Sequence, residues 1–556
     1  MADAKRHKSA GSPIATAEAD LGPLNPALLT RRAVHASACA AARPYPHHVL
    51  EQLCLPGRVG AIRDEILQNL DGTFKETDLF KLYQTIDLAN LDTAKAEHAQ
   101  LCAVLPELMA LRDALYTPAF RAFISEVAGV GDLTDRVDMA ASAYTQGCHL
   151  LCHDDVIGTR AVSFIVYLTD EGWCREDGGA LELYPSAGSP PVPSAAPSAG
   201  LLPLRNTLAL FPVTPGRSYH SVQEVFTDRA PRLSIQGWYH AAAPPEGAEM
   251  ASLNQLKSNN SELAFEAQAV NAAADASAID ESDARVLRAW ITDAYLQPAN
   301  LANIRKQFTE SGSVQLKRFL RESVAASLGA SCTTADEAAS AGGGGRPEYN
   351  AGLGAGNCGW EAVGPAHMQR YLRFSAEQER PAGAAAASAA ETVGSTMEQI
   401  RSELFAAPAF WRLVHRLTGL LPQSQRSQVR RFRPGLDYTV AHHGLLEDHA
   451  LLDATLCVLR PQSAEEQGLW DSGDAGGFEC YIAAENGELV AAEVYGGDDD
   501  QDNELLSVNA APNTLNLVHR DPGTMRFLKY VGSAAPCSRF DISGTFELRD
   551  ETAIST

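Results

Sequence analysis

The chain has 556 residues, 45% of them hydrophobic, which is typical of a globular protein with two or three domains. Lys and Arg total 45 and Asp and Glu total 69, so the formal net charge is −24. A negative charge of this size repels nucleic acid and attracts a basic partner. No apolar run is long enough to span a bilayer, and residues 1–13 lack the apolar core of a signal peptide, which argues against a membrane or secreted protein. Eleven cysteines without a Cys-x-x-Cys pair predict a reducing compartment, the cytoplasm, the nucleus or both.

The first half of the chain changes character twice. Residues 1–45 are rich in Ala, Ser and Pro without periodicity, and we predict a disordered N-terminal segment there. Residues 46–135 are predicted to be mostly helical, and residues 136–240 contain short β-rich runs of the kind found in a jelly roll. We therefore assign residues 46–245 to one domain. The helical prediction rests on leucines at helical spacing: Leu101, Leu105, Leu108, Leu111 and Leu115.

The second half repeats this alternation. Residues 246–330 are predicted to form a helical connector, and residues 331–398 an Ala/Gly-rich low-complexity insertion or linker. Residues 399–556 are β-rich again and are assigned to a second domain. The predicted fold class is α+β, with two tandem jelly-roll domains flanked by helices.

The two β-rich regions resemble each other. Asn206–Leu210 is matched by Asn513–Leu517, and Arg232–Gly237 by Arg539–Gly544, so we predict an internal duplication. Pro-Gly pairs at 215–216 and 522–523 also match, and counting four residues onwards places Phe527 opposite His220. The first domain is therefore predicted to carry the chemistry, and the second to lack the metal ligands.

Two short stretches of the first domain carry residues that could bind a metal. His153, Asp155 and His220 supply two imidazoles and one carboxylate, a set that leaves metal positions open and suits non-haem Fe(II) oxygen chemistry. His153 and Asp155 would share one face if their segment is extended. His220 and Arg232 would lie together if they belong to adjacent antiparallel strands. A buried guanidinium at Arg232 would then suit an anionic co-substrate.

Simpler interpretations exist for the same residues. A lone His-x-Asp triplet is common and is more often a surface or capping feature. Tyr144 and Tyr167 can equally be ordinary aromatic residues of a β-sheet core.

Four segments together resemble the Fe(II)/2-oxoglutarate-dependent prolyl hydroxylases, and within them the ribosomal prolyl 3-hydroxylases, a translation-termination-associated subfamily with two double-stranded β-helix domains. The segments are Tyr144–Asp155, Tyr167–Asp170, Gly178–Leu183 and Pro231–Trp238. The resemblance covers roughly residues 45–325 and 360–550 in outline. It implies that the N-terminal double-stranded β-helix domain is catalytic and the second is metal-free.

The resemblance also implies a role for each site residue. His153, Asp155 and His220 would bind Fe(II), and Arg232 would pair with the distal carboxylate of 2-oxoglutarate. Tyr144 and Tyr167 would hydrogen-bond the same co-substrate, and Ser234, which faces the same interior, is a further candidate for binding it. Dioxygen would be the oxidant, with ascorbate as an additional reductant. The catalytic residues would be His153, Asp155, His220 and Arg232.

For the substrate, the resemblance implies C3 of a prolyl residue in a small-subunit ribosomal protein at the decoding centre, with an effect on translation accuracy or termination. Translation-termination or mRNA-tail-associated proteins would be further partners. Neither membrane association nor direct nucleic-acid binding is expected.

Two other functions remain open from the sequence. An oxidative nucleic-acid demethylase would keep the iron but needs a basic groove and stacking aromatics, whereas only 7% of the residues are aromatic. A non-enzymatic scaffold would recruit translation or mRNA-tail factors through the second domain.

Overall fold

The computed structural model describes residues 21–249, 263–267, 279–340, 348–353, 359–375, 389–483 and 504–549. The chain divides into two compact units. Unit 1 comprises residues 1–76, 80–191 and 197–251, and unit 2 comprises residues 77–79, 192–196 and 252–556. Each unit contains helices and a curled antiparallel sheet, so the predicted α+β class with two jelly-roll-like β structures is confirmed.

Residues 21–249 contain six α-helices and thirteen strands. The helices are α1 (Ala27–Thr30), α2 (Arg32–Ala41), α3 (Arg58–Asn69), α4 (Ala96–Ala103), α5 (Pro106–Leu115) and α6 (Pro118–Ala128). The strands are β1 (His48–Glu51), β2 (Thr73–Glu76), β3 (Phe80–Gln84), β4 (Met139–Tyr144), β5 (His149–His153), β6 (Arg160–Tyr167), β7 (Leu181–Leu183), β8 (Ser186–Ala187), β9 (Val192–Pro193), β10 (Ala199–Leu201), β11 (Thr207–Pro212), β12 (His220–Val222) and β13 (Arg232–His240).

The sheet of unit 1 has eleven strands in the order β1-β11-β6-β13-β4-β3-β5-β12-β7-β10, with β2 paired to β3, and every pairing is antiparallel. β13 lies between β4 and β6. Its Arg232 is opposite Tyr144 of β4, and its Ser234 is opposite Tyr167 of β6. β12 lies between β5 and β7, and His220 is opposite His153. His220 and Arg232 are therefore not on adjacent strands, which corrects the hairpin expected from the sequence.

The helices of unit 1 cover one face of this sheet and share its main core. Phe120, Phe123 and Ile124 of α6 are fully buried in it, together with Phe164 of β6. α6 begins at Pro118 behind the N-cap Thr117, whose side chain accepts a hydrogen bond from the backbone N–H of Phe120. The helices pack against one face of β6 and β13, which leaves the opposite face of these two strands for the predicted metal and co-substrate site.

Three predictions for this region need correction. The leucine stripe from 101 to 115 is divided between α4 and α5, because Pro106 starts a new helix. Residues 46–135 also contain β1, β2 and β3 and are less helical than predicted. The N-terminal segment is not disordered over residues 21–45, where Leu24 and Cys39 are buried in the core. Residues 1–20 lie outside the described part of the chain.

The described residues from 263 onwards contain six more α-helices and twelve strands. The helices are α7 (Glu281–Trp290), α8 (Pro298–Ser311), α9 (Glu322–Ser340), α10 (Ala389–Ile400), α11 (Pro408–Thr418) and α12 (Ala464–Ser472). The strands are β14 (Glu266–Ala267), β15 (Ser313–Lys317), β16 (Trp360–Val363), β17 (Gln369–Phe374), β18 (Pro422–Phe432), β19 (Tyr438–Thr439), β20 (Leu451–Val458), β21 (Glu479–Ala483), β22 (Glu504–Val508), β23 (Thr514–Arg520), β24 (Thr524–Leu528) and β25 (Arg539–Leu548).

The main sheet of unit 2 runs β15-β23-β20-β25-β18-β17-β16, and a smaller sheet runs β22-β21-β24. The main sheet includes strands from outside residues 399–556, the predicted limits of the second domain. β15, from the segment predicted as a connector, pairs along its whole length with β23. β16 and β17, from the segment predicted as a linker, extend the sheet next to β18, and Trp360 is fully buried. Ala- and Gly-rich stretches on either side of β16 and β17 concealed these two strands in the sequence.

The duplication is visible in matching turns. Asn206 and Asn513 both have a positive φ, of 61° and 48°. The amide of Asn206 bonds both the N–H and the C=O of Cys54, and the amide of Asn513 bonds both groups of Leu320 in the same way. Such a paired amide contact at corresponding turns fixes the alignment of the two units.

The strand register corrects one detail of that alignment. His220 of β12 is opposite Leu183 of β7, and Arg526 of β24 is opposite Tyr481 of β21. A bridge between Gly178 and Val225 precedes the β7–β12 pairing in unit 1, and a bridge between Gly476 and Val531 precedes the β21–β24 pairing in unit 2. Both bridges are in register with the strand pairs that follow them, so Gly178 corresponds to Gly476 and Leu183 to Tyr481. The counterpart of His220 is therefore Arg526 and not Phe527, because counting from the Pro-Gly pair misses a one-residue difference in the turn.

Within the described part of the chain, no helix combines the length and apolar character needed to cross a membrane.

Candidate active site

His153, Asp155 and His220 converge in unit 1. One ligand atom from each lies within 4.8 Å of the others, and this is the one such group of His, Cys, Asp and Glu among the described residues. Nε2 of His153 lies 3.4 Å from Oδ1 of Asp155, and Nε2 of His220 lies 3.4 Å from Oδ2. The two imidazole rings are 4.2 Å apart between centroids. The β5–β12 pairing creates this proximity by placing the two histidines opposite each other.

The orientation of both imidazoles is fixed by the backbone. Nδ1 of His153 is 2.9 Å from the carbonyl oxygen of Leu151, and Nδ1 of His220 is 2.9 Å from that of Ser218. Because a carbonyl oxygen only accepts hydrogen bonds, each Nδ1 must carry the proton. In the neutral imidazole the lone pair is then on Nε2, which faces Asp155 in both residues, the arrangement expected of metal-binding histidines.

Asp155 reaches this position through an unusual backbone conformation. Its φ is 60°, in the left-handed region that only a few non-glycine residues adopt, and β5 has already ended at His153. The two residues therefore do not share a face of an extended strand, as the sequence suggested. A left-handed turn brings the carboxylate back towards the imidazoles.

The electrostatics of the group favour an ionised carboxylate. Burial raises the pKa of Asp155, but the neighbouring His220 and His153 lower it more, so its pKa lies well below the usual range. Burial lowers the pKa of His153, and the Asp155 carboxylate raises it beyond that effect. Oδ1 of Asp155 has no hydrogen-bond donor among the described residues. Two lone-pair nitrogens around an ionised, under-coordinated carboxylate could hold a divalent cation such as Fe(II).

Arg232 lies in the same unit with its side chain fully enclosed, since only 1% of its surface is exposed. Nε donates to the carbonyl oxygen of Gly179 at 2.6 Å, and Nη1 donates to Oγ of Ser234 at 3.3 Å. Nη2 makes no hydrogen bond of normal geometry, and no described carboxylate forms an ion pair with this guanidinium. A buried, unneutralised arginine is costly, so this pocket fits the carboxylate of 2-oxoglutarate.

Tyr144 and Tyr167 flank that guanidinium. Its central carbon lies 5.0 Å from the ring centroid of Tyr144 and 5.1 Å from that of Tyr167. The hydroxyl of Tyr144 is buried and has no hydrogen-bond partner among the described residues. Burial raises the pKa of both phenols, and Arg232 offsets part of that effect, so both hydroxyls stay protonated. They could donate to a carboxylate held by Arg232.

Two further residues were not assigned from the sequence. Trp238 donates from Nε1 to Oδ2 of Asp155 at 3.0 Å. Gly179 has a φ of 71°, and a Cβ there would lie 2.5 Å from Cδ of Arg232. Strand alternation could have found Trp238, since it is in phase with Arg232 and Ser234 along β13. The need for glycine at position 179 depends on a contact across the sheet, which leaves no local signal.

In unit 2, the residues at the corresponding positions differ in chemistry. Arg539 is opposite Phe432 on β18, where Arg232 is opposite Tyr144 on β4. Asp541 takes the position of Ser234. Nε of Arg539 bonds Asp541 at 3.2 Å, and Nη2 bonds Glu479 at 2.5 Å.

The second tyrosine of the site is also absent from unit 2. Cys457, opposite Asp541, takes the position that Tyr167 holds opposite Ser234. Arg539, the counterpart of Arg232, is thus neutralised by carboxylates of the chain itself. Neither of the two tyrosines that flank Arg232 has a tyrosine counterpart beside Arg539.

Comparison with known proteins agrees with this division. Residues 139–240 match the family model described as 2OG-Fe(II) oxygenase superfamily, and residues 282–553 match the model described as oxoglutarate and iron-dependent oxygenase degradation C-term. The prolyl 3,4-dihydroxylase OGFOD1 of Ostreococcus tauri is 38% identical over 510 residues, covering 90% of this chain and 94% of that protein. The prolyl 3-hydroxylase OGFOD1 of Xenopus laevis is 28% identical over 525 residues, covering 88% and 83%.

Among solved structures, a prolyl-4-hydroxylase of Pseudomonas putida aligns with 38% of this chain and 98% of its own, at 21% identity and a TM-score of 0.24, which is too low to support an argument. Members of the 2OG-Fe(II) superfamily use Fe(II), 2-oxoglutarate and dioxygen, and the chain has the same requirement. The chain belongs to the Fe(II)- and 2-oxoglutarate-dependent prolyl hydroxylase family.

Proposed function

We propose that the chain hydroxylates C3 of a prolyl residue in a small-subunit ribosomal protein, and that it thereby affects translation accuracy or termination. Prolyl hydroxylation is supported by the relatives from Ostreococcus tauri and Xenopus laevis, which are named prolyl hydroxylases. The observation that carries the proposal is the buried group of His153, Asp155 and His220 beside the unneutralised Arg232.

We assign roles to these residues as follows. His153, Asp155 and His220 bind Fe(II), and Arg232 binds the distal carboxylate of 2-oxoglutarate, with Tyr144 and Tyr167 donating hydrogen bonds to it. Ser234 orients the guanidinium through its contact with Nη1. When bound, Fe(II) and 2-oxoglutarate supply the oxidative chemistry, in which dioxygen is consumed, 2-oxoglutarate becomes succinate and carbon dioxide, and the substrate C–H bond is hydroxylated.

The chain itself supplies orientation and exclusion of water. The side chains of Asp155 and His220 are 3% and 5% exposed, whereas that of His153 is 12% exposed. We infer that the prolyl substrate approaches from the side of His153. The net charge of −24 favours a basic substrate such as a ribosomal protein.

We further propose that the chain works in the cytoplasm, the nucleus or both, and that translation-termination or mRNA-tail-associated proteins are additional partners. The ten described cysteines are all free thiols, which fits a reducing compartment.

The test is mass spectrometry of a proline-containing peptide from the decoding-centre ribosomal protein. The peptide is incubated with the chain, Fe(II), 2-oxoglutarate and ascorbate, and succinate is followed in parallel. We expect one added oxygen located at C3 by fragmentation, absent with His153→Ala and with an alanine-for-proline peptide. A gain of two oxygens would indicate dihydroxylation, as named for the Ostreococcus relative.

The matched control is His519→Ala, since His519 is a partly exposed histidine of unit 2 that pairs with Asp521. Succinate formation without peptide oxidation would contradict the substrate and retain the oxygenase. Neither signal from folded, iron-loaded protein would contradict the enzymatic function itself.

A further inference from the structure

Unit 2 contains a cavity with an arginine-rich wall. Arg373, Arg426, Arg430, Arg520 and Arg526 line it, and Glu479 is the one acidic side chain among its lining residues. Such a concentration of positive charge contrasts with a chain whose net charge is −24. Concave sites of one sign focus the electrostatic field and raise the local concentration of oppositely charged ligands.

The carboxylates that balance these arginines lie mostly behind the wall. Arg430 is bound bidentately by Asp541, at 2.8 and 3.0 Å, and Asp541 is fully buried. Asp453, only 1% exposed, lies 3.0 Å from Arg520 and 3.2 Å from Arg526. Neither aspartate lines the cavity.

Two more arginine–carboxylate pairs are more exposed to solvent. Glu361 is 2.7 Å from Arg373, and Glu447 is 3.4 Å from Arg426. Arg539 also pairs with Glu479 and Asp541. Among the described residues, three buried carboxylates are therefore shared by four arginines: Asp453, Glu479 and Asp541 pair with Arg430, Arg520, Arg526 and Arg539.

Some N–H groups of these arginines do not donate a hydrogen bond to a carboxylate. Each guanidinium has five N–H groups. Arg430 uses Nε and Nη2 on Asp541, and Nη1 of Arg520 has only the 3.4 Å contact with the carbonyl oxygen of Leu445. The hydroxyls of Ser543 and Thr545 line the same cavity.

The cavity is also unsuited to a divalent cation. Arg526 stands at the position that His220 holds in unit 1, so a guanidinium replaces a metal-binding imidazole. Nη2 of Arg526 is 2.8 Å from Glu479, whose pKa is raised by burial and lowered more strongly by Arg526 and Arg539, to about 2. Glu479 is therefore ionised at neutral pH and engaged by arginine.

We propose that this cavity of unit 2 binds a small anion through carboxylate or phosphate oxygens, independently of the 2-oxoglutarate site in unit 1. The planar fork of arginine matches both groups, and the excess of arginines over the buried carboxylates that they share selects an anion over a cation. On this proposal the duplicated unit has exchanged a metal site for an anion site in the same part of the fold.

The experiment is isothermal titration calorimetry on the full chain, with inorganic phosphate in one arm and citrate in the other. We expect saturable binding of one or both probes, and the better probe identifies phosphate or carboxylate as the natural group. Arg426→Gln and Arg373→Gln are expected to weaken binding by roughly tenfold each, because each removes charge-assisted hydrogen bonds. Circular dichroism establishes that the variants are folded.

Two controls make the result specific. Arg412→Gln removes a partly exposed arginine of unit 2 that pairs with Asp283 and does not line the cavity, and it should leave binding unchanged. Arg232→Met, which removes the buried arginine of unit 1, should also leave binding unchanged. Binding lost with Arg232→Met, binding unaffected by both cavity variants, or no saturable binding at millimolar probe would each overturn the proposal.

Discussion

Trp238 holds the carboxylate of Asp155 through a hydrogen bond of 3.0 Å from its indole Nε1 to Oδ2. Oδ1, which has no hydrogen-bond donor of its own among the described residues, lies 3.4 Å from Nε2 of His153, and Oδ2 lies 3.4 Å from Nε2 of His220. Arg160 stacks on a face of the indole, with its guanidinium carbon 3.5 Å from the ring centroid. Trp238 is therefore a positioning residue, which acts on the metal site through Asp155.

The first prediction concerns this hydrogen bond. Trp238→Phe keeps an aromatic ring but removes the donor, so we expect Fe(II) affinity to fall by about 10- to 100-fold, the usual effect of losing a partner of a metal ligand. Calorimetric titration of the metal-free chain with Mn(II) measures this without turnover. The control is Trp411→Phe, which removes an indole bond of 3.1 Å to the carbonyl oxygen of Phe405 in unit 2. Equal metal affinity in both variants would contradict the role of Trp238.

The second prediction contrasts Arg232 with Arg539. Arg539→Met removes one of the two guanidiniums that pair with each of the buried carboxylates Glu479 and Asp541. Arg526 and Arg430 remain as partners, so the free energy of unfolding should fall by about 1.5 to 3 kcal/mol. Arg232→Met removes a buried charge that has no described carboxylate partner and should not lower stability. Urea denaturation followed by tryptophan fluorescence measures both. The assignment of Arg232 as an anion site fails if its removal destabilises the chain as much as that of Arg539.

The third prediction concerns Gly179. A Cβ at this position would meet Cδ of Arg232 at 2.5 Å, so Gly179→Ala should displace the guanidinium and raise KM for 2-oxoglutarate by roughly tenfold, the loss of about one charge-assisted hydrogen bond. Gly147→Ala is the matched control, because Gly147 also has a positive φ, of 83°, but a Cβ there would meet nothing within 4 Å. Succinate formation at varied 2-oxoglutarate gives both values. An equal change of KM in the two variants would assign the effect to backbone strain.

The fourth prediction is a dependence of stability on pH through Glu479. Its pKa in the folded chain is about 2, against an ordinary value of 4.5, because Arg526 and Arg539 outweigh the effect of burial. A lowered folded-state pKa contributes stability that is present above about pH 4.5 and is lost as the pH falls towards 2. Glu479→Gln should therefore be less stable than the parent at pH 6 and show a shallower loss of stability between pH 4.5 and 2. Urea midpoints across that range test this, and parallel slopes for both proteins would contradict it.

The sequence by itself determined the reaction class and the ligand types. Residues close together along the chain carried this information: His153 with Asp155, and Arg232 with Ser234 along one alternating strand. The duplication was also visible, since Asn206–Leu210 and Asn513–Leu517 keep the same turn and strand chemistry. Short-range spacing was enough to nominate these residues, although His153 and Asp155 do not share a face of one strand as the spacing suggested.

Only the tertiary structure decided how these residues meet. His220 reaches His153 through the β5–β12 pairing, and Asp155 turns towards both through a left-handed backbone conformation, neither of which has a periodic signal. The structure likewise showed that Arg526 is the counterpart of His220, and that Glu479 neutralises Arg539 from a strand sixty residues away. Such relationships depend on strand register and turn length, and a shift of one residue exchanges every side chain between the two faces of a sheet.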